Sequence, residues 1–237
     1  MFKIALNAGH YFYEPGRRVL KQFDEKESRE WVLNSRVAEK VEEILKGYTG
    51  YTLLRTDDRT GEKLITLVDR IKKVNDFGAD IYVSIHHNGG IYGGSGGGIM
   101  AYTYLYVNEY TKNMQKLLYN KLIEKTGLVG NRATPLATAD FYECRETKMP
   151  AVLLELGFMD SSTDAPIIIT EDYSKKCAQA IAEAIIELGN LVKKEEPKET
   201  ELYRVQVGAY KNLTNAQKTV EKLKQAGFNA IIKKEKI

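Results

Sequence analysis

A chain of 237 residues with 43% hydrophobic content is long enough for one full α/β domain and a small appendage. Its two cysteines, Cys144 and Cys177, form no CxxC pair, which argues against a disulfide framework or a cysteine-type zinc site. No apolar run approaches the roughly 18 residues of a membrane span. The net charge of +3 is unevenly spread: residues 1–191 hold 24 basic and 26 acidic residues, a net of −2, whereas residues 202–237 hold eight and two, a net of +6. The tail is therefore the part that would seek an anionic partner, and neither nucleic acid nor a membrane is expected as a partner of the chain. The opening Met1–Leu6 is too short for a secretory apolar segment, so the expectation is synthesis in the cytoplasm and action elsewhere after release.

Lys3–Asn7 reads as a first buried strand, and Glu27–Lys46 as a helix with Trp31, Leu33, Val37, Val41, Ile44 and Leu45 at helical spacing. Gly47 ends that helix and Tyr51–Arg55 is the next strand. Leu64, Leu67, Val68, Ile71 and Val74 mark a second helix that stops before Gly78. Ile81–Ile85 is apolar and β-branched, as suits the centre of a sheet covered on both faces. A glycine-rich stretch from Gly89 to Gly98 is read as a flexible rim loop, since no GKS or GKT follows to make it a phosphate cradle. Ile99–Tyr104 is a strand, Asn108–Thr126 a helix, Ala151–Glu155 a last strand and Tyr173–Leu191 a closing helix. Strands alternating with helices predict an α/β fold, a twisted and mostly parallel sheet with helices on both faces. The polar run Lys193–Glu201 with its one proline is a linker by composition, the boundaries being domain 1–191, linker 192–201 and tail 202–237. In the tail, Leu202–Ala209, Asn215–Gln225 and Ala230–Ile232 predict a small β-α-β unit.

The chain has only three histidines, and two of them terminate strand-like runs. His10 follows Ile4-Ala5-Leu6-Asn7-Ala8-Gly9, and His86 follows Ile81–Ile85. Glu155 closes the apolar Ala151–Leu154 run. All three lie at the carboxyl ends of strands, the edge where open α/β sheets bind ligands. Glu30 opens the helix after the first strand and emerges on the same edge. Two imidazoles and a carboxylate would leave a fourth zinc position for water, the arrangement of a hydrolytic site. Glu155, flanked by leucines, must be paired, metal-bound or functional. From spacing alone His87 competes with His86, since neighbours on a strand face opposite sides and one only can meet the metal. Glu25 and Glu27 compete with Glu30 in the same way.

Five motifs in order carry a resemblance: Asn7-Ala8-Gly9-His10, Glu30 with Asn34, Leu54-Arg55-Thr56-Asp57, Ser84-Ile85-His86-His87-Asn88, and the run from Arg145 through Pro150-Ala151-Val152-Leu153-Leu154-Glu155-Leu156-Gly157-Phe158. Over residues 2 to about 190 the chain resembles the zinc-dependent N-acetylmuramoyl-L-alanine amidases. The resemblance implies Zn2+ held by His10, Glu30 and His86, with Glu155 as catalytic carboxylate, and bacterial peptidoglycan as substrate. It implies hydrolysis of the amide between the lactyl group of N-acetylmuramic acid and L-alanine, in an endolysin or autolysin. A zinc peptidase cutting within the stem peptide and a non-catalytic wall-binding protein are the rival readings. Two departures stand out: Tyr11-Phe12-Tyr13-Glu14-Pro15-Gly16 replaces the family's Gly-Gly and aspartate after the first histidine, and His87 stands where a small residue is usual. The tail, with Tyr203-Arg204-Val205-Gln206-Val207-Gly208-Ala209-Tyr210, Ala216, Leu223-Lys224 and Gly227-Phe228, resembles about half of a SPOR domain. That likeness implies binding to glycan strands. A lone β-α-β unit leaves sheet edges unpaired and buries little core, so residues 202–237 are expected to be poorly ordered in isolation or to pair with a second copy.

Overall fold

The computed structural model describes residues 1–195, 203 and 205–235. Most of the predicted linker, together with Leu202 and Arg204 of the first tail strand, lies outside the described residues. Two compact units are present, 1–194 and 195–237.

In the first unit the elements run β1 (Phe2–Ala8), α1 (Glu30–Leu45), β2 (Tyr48–Thr49), β3 (Tyr51–Arg55), α2 (Leu67–Phe77), β4 (Ile81–Asn88), β5 (Ile99–Thr103), α3 (Glu109–Thr126), β6 (Leu136–Thr138), α4 (Tyr142–Arg145), β7 (Ala151–Phe158), α5 (Ala165–Ile168), α6 (Glu171–Gly189) and β8 (Val192–Lys193). The main sheet has the order β3-β1-β4-β7-β5-β6. Its first four strands are parallel, β5 runs antiparallel to β7, and β6 is parallel to β5. The α/β reading holds, with one reversal at β5.

Side chains alternate across the central strands, and the alternation sorts them into two cores. Ile4, Leu6, Ile81, Val83, Ile85, Val152, Leu154 and Leu156 pack with α1, α3 and α6 through Leu33, Val37, Val41, Met114, Leu118, Cys177, Ile181 and Ile185. Ala5, Tyr82 and Ala151 face the other way, where Ile71 and Val74 of α2 cover them. Each fully buried leucine or isoleucine is worth about 1.5–3 kcal/mol of transfer free energy, so the first core dominates the stability of this unit. Caps fix three of the helices: Thr66, Asn108 and Thr170 each accept a first-turn N–H, from Asp69, Thr111 and Tyr173.

Several bounds differ from those predicted. Helix α1 starts at Glu30, not Glu27, because the Asp24 carboxylate takes the Lys26 and Ser28 amides and Glu27 sits at φ 48°. Val192 and Lys193, placed in the linker by composition, pair antiparallel with Tyr48 and Thr49. The glycine-rich stretch is tied down: Asp160 Oδ2 accepts the Gly90, Ile91 and Tyr92 amides at 2.7–2.8 Å, and Asp164 Oδ2 accepts that of Gly98 at 2.7 Å.

In the second unit, α7 (Leu213–Gln225) forms where a helix was predicted, capped by Asn212. The described residues of the predicted flanking strands, 205–209 and 230–232, carry no strand. A pair of strands has too little partner surface to be stable alone in water, which accounts for that difference.

Candidate metal centre at the carboxyl edge of the sheet

Parallel pairing brings the ends of β1, β4 and β7 to one edge. Ala8 is in register with Ile85, and His86 with Glu155. Residues in register on parallel strands face the same side, so His86 and Glu155 share a face. Helix α1 begins at this edge, with Glu30 as its first residue and 1% exposed.

His10, Glu30 and His86 converge, each offering a ligand atom within 4.8 Å of the others. His10 Nε2 lies 3.2 Å from Glu30 Oε2, and His86 Nδ1 lies 3.2 Å from Glu30 Oε1. The two rings meet edge to face at 5.0 Å between centroids. Glu25 and Glu27 take no part; Glu27 pairs with Arg18 at 3.7 Å instead.

The loop that delivers His10 is unusual in its backbone. His10 adopts φ 68°, a left-handed conformation rare for a residue with a side chain. The buried Arg70 guanidinium holds it there, donating to Asn7 Oδ1 and Ala8 O at 2.8 Å each and also to His10 O. Gly9 is required by close approach: a Cβ there would sit 2.1 Å from His86 Cε1.

Each imidazole has a carboxylate behind it. Glu14 Oε2 lies 2.8 Å from His10 Nδ1, and Glu143 Oε1 lies 3.2 Å from His86 Nε2. The sequence reading missed both. Glu14 sits four residues after His10, inside the stretch noted as departing from the family; Glu143 lies on a helix of only four residues, too short for any periodicity.

The alternation of β4 also decides the histidine pair. His87 turns to the α1 side, where its Nδ1 meets Asn34 Oδ1 at 2.7 Å. Asn34 in turn donates to Gly9 O at 3.2 Å and to Glu30 Oε1 at 3.4 Å. His87 therefore braces the cluster from behind through Asn34.

Burial and mutual charge set the ionisation. Burial would raise the Glu30 carboxyl, but hydrogen bonds with His10 and His86 outweigh it and hold it well below its ordinary value. Burial would lower His86, yet Glu143 and Glu30 on either side raise it well above 6.5. Burial also opposes ionisation of Glu143, which the bonds from His86 and Tyr82 nevertheless bring down to about 2. Glu155 behaves oppositely: burial first, then the charges of Glu30 and Glu143, push it up to about 8 against the pull of His86. Burial brings His87 down to about 3, with the charge of His86 adding to it, against the pull of Glu30.

A cation fits this donor set. Two imidazole nitrogens and a carboxylate converge, and the buried Glu30 Oε2 faces the His10 ring at 3.2 Å. Glu155 Oε2, on the face of the sheet that carries His86, is buried and has no hydrogen-bond partner among the described residues.

Residues 4–187 match the family described as N-acetylmuramoyl-L-alanine amidase. The chain belongs to this family. A SPOR domain matches residues 174–236, beginning inside α6 and running through the second unit. The sporulation-specific N-acetylmuramoyl-L-alanine amidase of Bacillus subtilis (strain 168) is 30% identical over 98% of this chain and 84% of its own length. The endolysin of Bacillus phage SPP1 is 30% identical over 67% of this chain and 58% of that protein. Among solved structures, the catalytic domain of CwlV, an amidase from Bacillus (Paenibacillus) polymyxa var. colistinus, superposes with a TM-score of 0.70 at 26% identity, covering 80% of this chain and 99% of that one. This amidase is thus a cell-wall hydrolase with peptidoglycan as its substrate and a SPOR domain, a peptidoglycan-binding module, at its C-terminus. Among the described residues no helix is long and apolar enough to cross a membrane.

Proposed function

We propose that this amidase works with one zinc ion held by His10, Glu30 and His86, and that Glu155 is its catalytic carboxylate. The bond cleaved is the amide between the muramic-acid lactyl group and L-alanine. The observation that carries the reading is the convergence of those three donors, with a carboxylate in register with His86 on the next strand. Zinc bound there would supply a Lewis acid for the scissile carbonyl and lower the pKa of a coordinated water towards about 7. Glu155 Oε2, without a hydrogen-bond partner among the described residues, takes the proton of the attacking water and passes it to the leaving amine. His10 and His86 are oriented for the ion by Glu14 and Glu143, and Arg70 fixes the turn before His10.

We assign residues 1–191 to catalysis, 192–201 to a linker and 202–237 to glycan binding. Each cut leaves a free lactyl carboxylate, so stripped glycan is more anionic than intact wall, and a tail of net charge +6 is drawn to it. Val207, Phe228, Ile231 and Ile232 are all exposed, an apolar supply for pairing with a second copy. Both an autolysin and an endolysin released at lysis suit this chemistry.

Mass analysis of digested wall tests the reaction. Free lactyl ends support the amidase, and new termini within the stem peptide refute it. Glu155→Gln, nearly isosteric but unable to accept a proton, should keep fold and zinc and lose about two to four orders of magnitude in rate. A loss of only a few-fold would move the base elsewhere.

A further inference from the structure

Glu143 is 5% exposed, yet it sits in a chemically busy place on the α2 and α4 side of the sheet. Its Oε1 lies 3.2 Å from His86 Nε2. Its Oε2 accepts the Tyr82 hydroxyl at 2.6 Å and lies 3.4 Å from Asn7 Nδ2. Asn7 is held in turn by Ser84, Thr56 and Arg70 at 2.9, 2.7 and 2.8 Å. The carboxylate is therefore fixed before any metal arrives.

Resting on the assignment of His86 as a ligand, we propose that Glu143 is a positioning residue that sets the tautomer and orientation of that imidazole. With Nε2–H donated to Glu143, the lone pair is left on Nδ1, the nitrogen that faces Glu30. The ring then cannot rotate to offer Nε2 without breaking a bond to a buried anion. Replacing an outer carboxylate of this kind costs about 10- to 100-fold in metal affinity. Glu143 touches neither substrate nor metal; it acts through His86.

The test uses the full chain, with zinc affinity read by competition against a chromophoric chelator and the His86 ring read by 15N NMR of the zinc-loaded protein. Wild type should show Nε2–H and a metal-bound Nδ1. Glu143→Gln, which keeps an acceptor but no charge, should bind zinc about 10-fold more weakly with the same tautomer; Glu143→Ala should approach the about 100-fold limit with the tautomer signature lost. Melting of the metal-free proteins reports folding separately, and if Glu143→Ala fails to fold, the Gln variant carries the test. Unchanged zinc affinity in a folded Glu143 variant overturns the proposal while leaving the ligand assignment intact. Zinc bound as tightly by His86→Ala as by wild type overturns the ligand assignment, and this inference with it.

Discussion

His87 offers the cleanest quantitative check on the site, because its protonation is set by burial. Its Nδ1–H is committed to Asn34 Oδ1 at 2.7 Å, and its Nε2 is buried with no partner among the described residues. Burial, with Arg36 and His86 adding positive charge nearby, holds the group at about 3 despite the pull of Glu30. The folded chain thus refuses a proton that the unfolded chain accepts below an ordinary value of about 6.5. The contribution to stability is complete above 6.5 and is lost as pH falls towards 3. From about pH 7.5 to about pH 5 the unfolded state gains a factor of about 30, so the fold loses about 2 kcal/mol through this residue alone. Other groups titrate in the same interval, His86 among them, so the quantity to compare is a difference of differences. His87→Asn places an amide N–H where Nδ1–H stood and removes the titrating nitrogen. Urea unfolding of both chelator-treated proteins at the two pH values should show the variant losing about 2 kcal/mol less on acidification, whatever its absolute stability. Equal acid losses would mean that His87 is protonated in the fold, and that the Asn34 brace has been misread.

Gly9→Ala forces a Cβ to 2.1 Å from His86 Cε1, so His86 must move; zinc content should fall and the melting point drop by the equivalent of about 1–3 kcal/mol, and full zinc loading would contradict the packing described. Asp160→Ala removes the acceptor of three consecutive amides and should raise proteolytic nicking between Gly89 and Gly98, with zinc content unchanged. Deleting residues 197–237 should leave turnover of a soluble muramyl-peptide nearly unchanged and weaken co-sedimentation with stripped wall, more at low salt than at high. Equal sedimentation with and without the tail would reduce it to a solubilising appendage.

The main elements of the first unit were legible because its core is periodic. Ala151–Leu154 is a continuous apolar run and Ile81–Ile85 is broken only by Ser84, and they became β7 and β4 at the centre of the sheet. What periodicity could not show is where local polar bonds intervene. Asp24 competes with the backbone for the amides of Lys26 and Ser28, which delays α1 by three residues. Strand β6 escaped notice because its three residues lie at the sheet margin and Leu136 is 38% exposed, so no buried pattern marks it. The tail strands failed for the opposite reason: their alternation was clear, but two short strands alone have too few neighbours to be stable in water.

The convergence of His10, Glu30 and His86 was legible for a different reason, since strand ends are points where chain direction, not distance along the sequence, decides who meets. His10 and His86 are 76 positions apart, yet parallel pairing of β1 with β4 makes their meeting a matter of topology. The outer carboxylates have no such rule. Glu143 reaches His86 because Tyr82, Ser84 and His86 occupy alternate positions on one face of β4, and α4 happens to cover that face. The same alternation sends His87 to α1, where burial keeps it neutral while carboxylates keep its neighbour basic. Glu30 Oε1 receives both, the His86 ring at 3.2 Å and the His87 amide at 3.2 Å. The two adjacent histidines thus reach one carboxylate by different groups, His86 through its ring and His87 through its backbone amide, while the neutral His87 ring steadies Asn34 beside it.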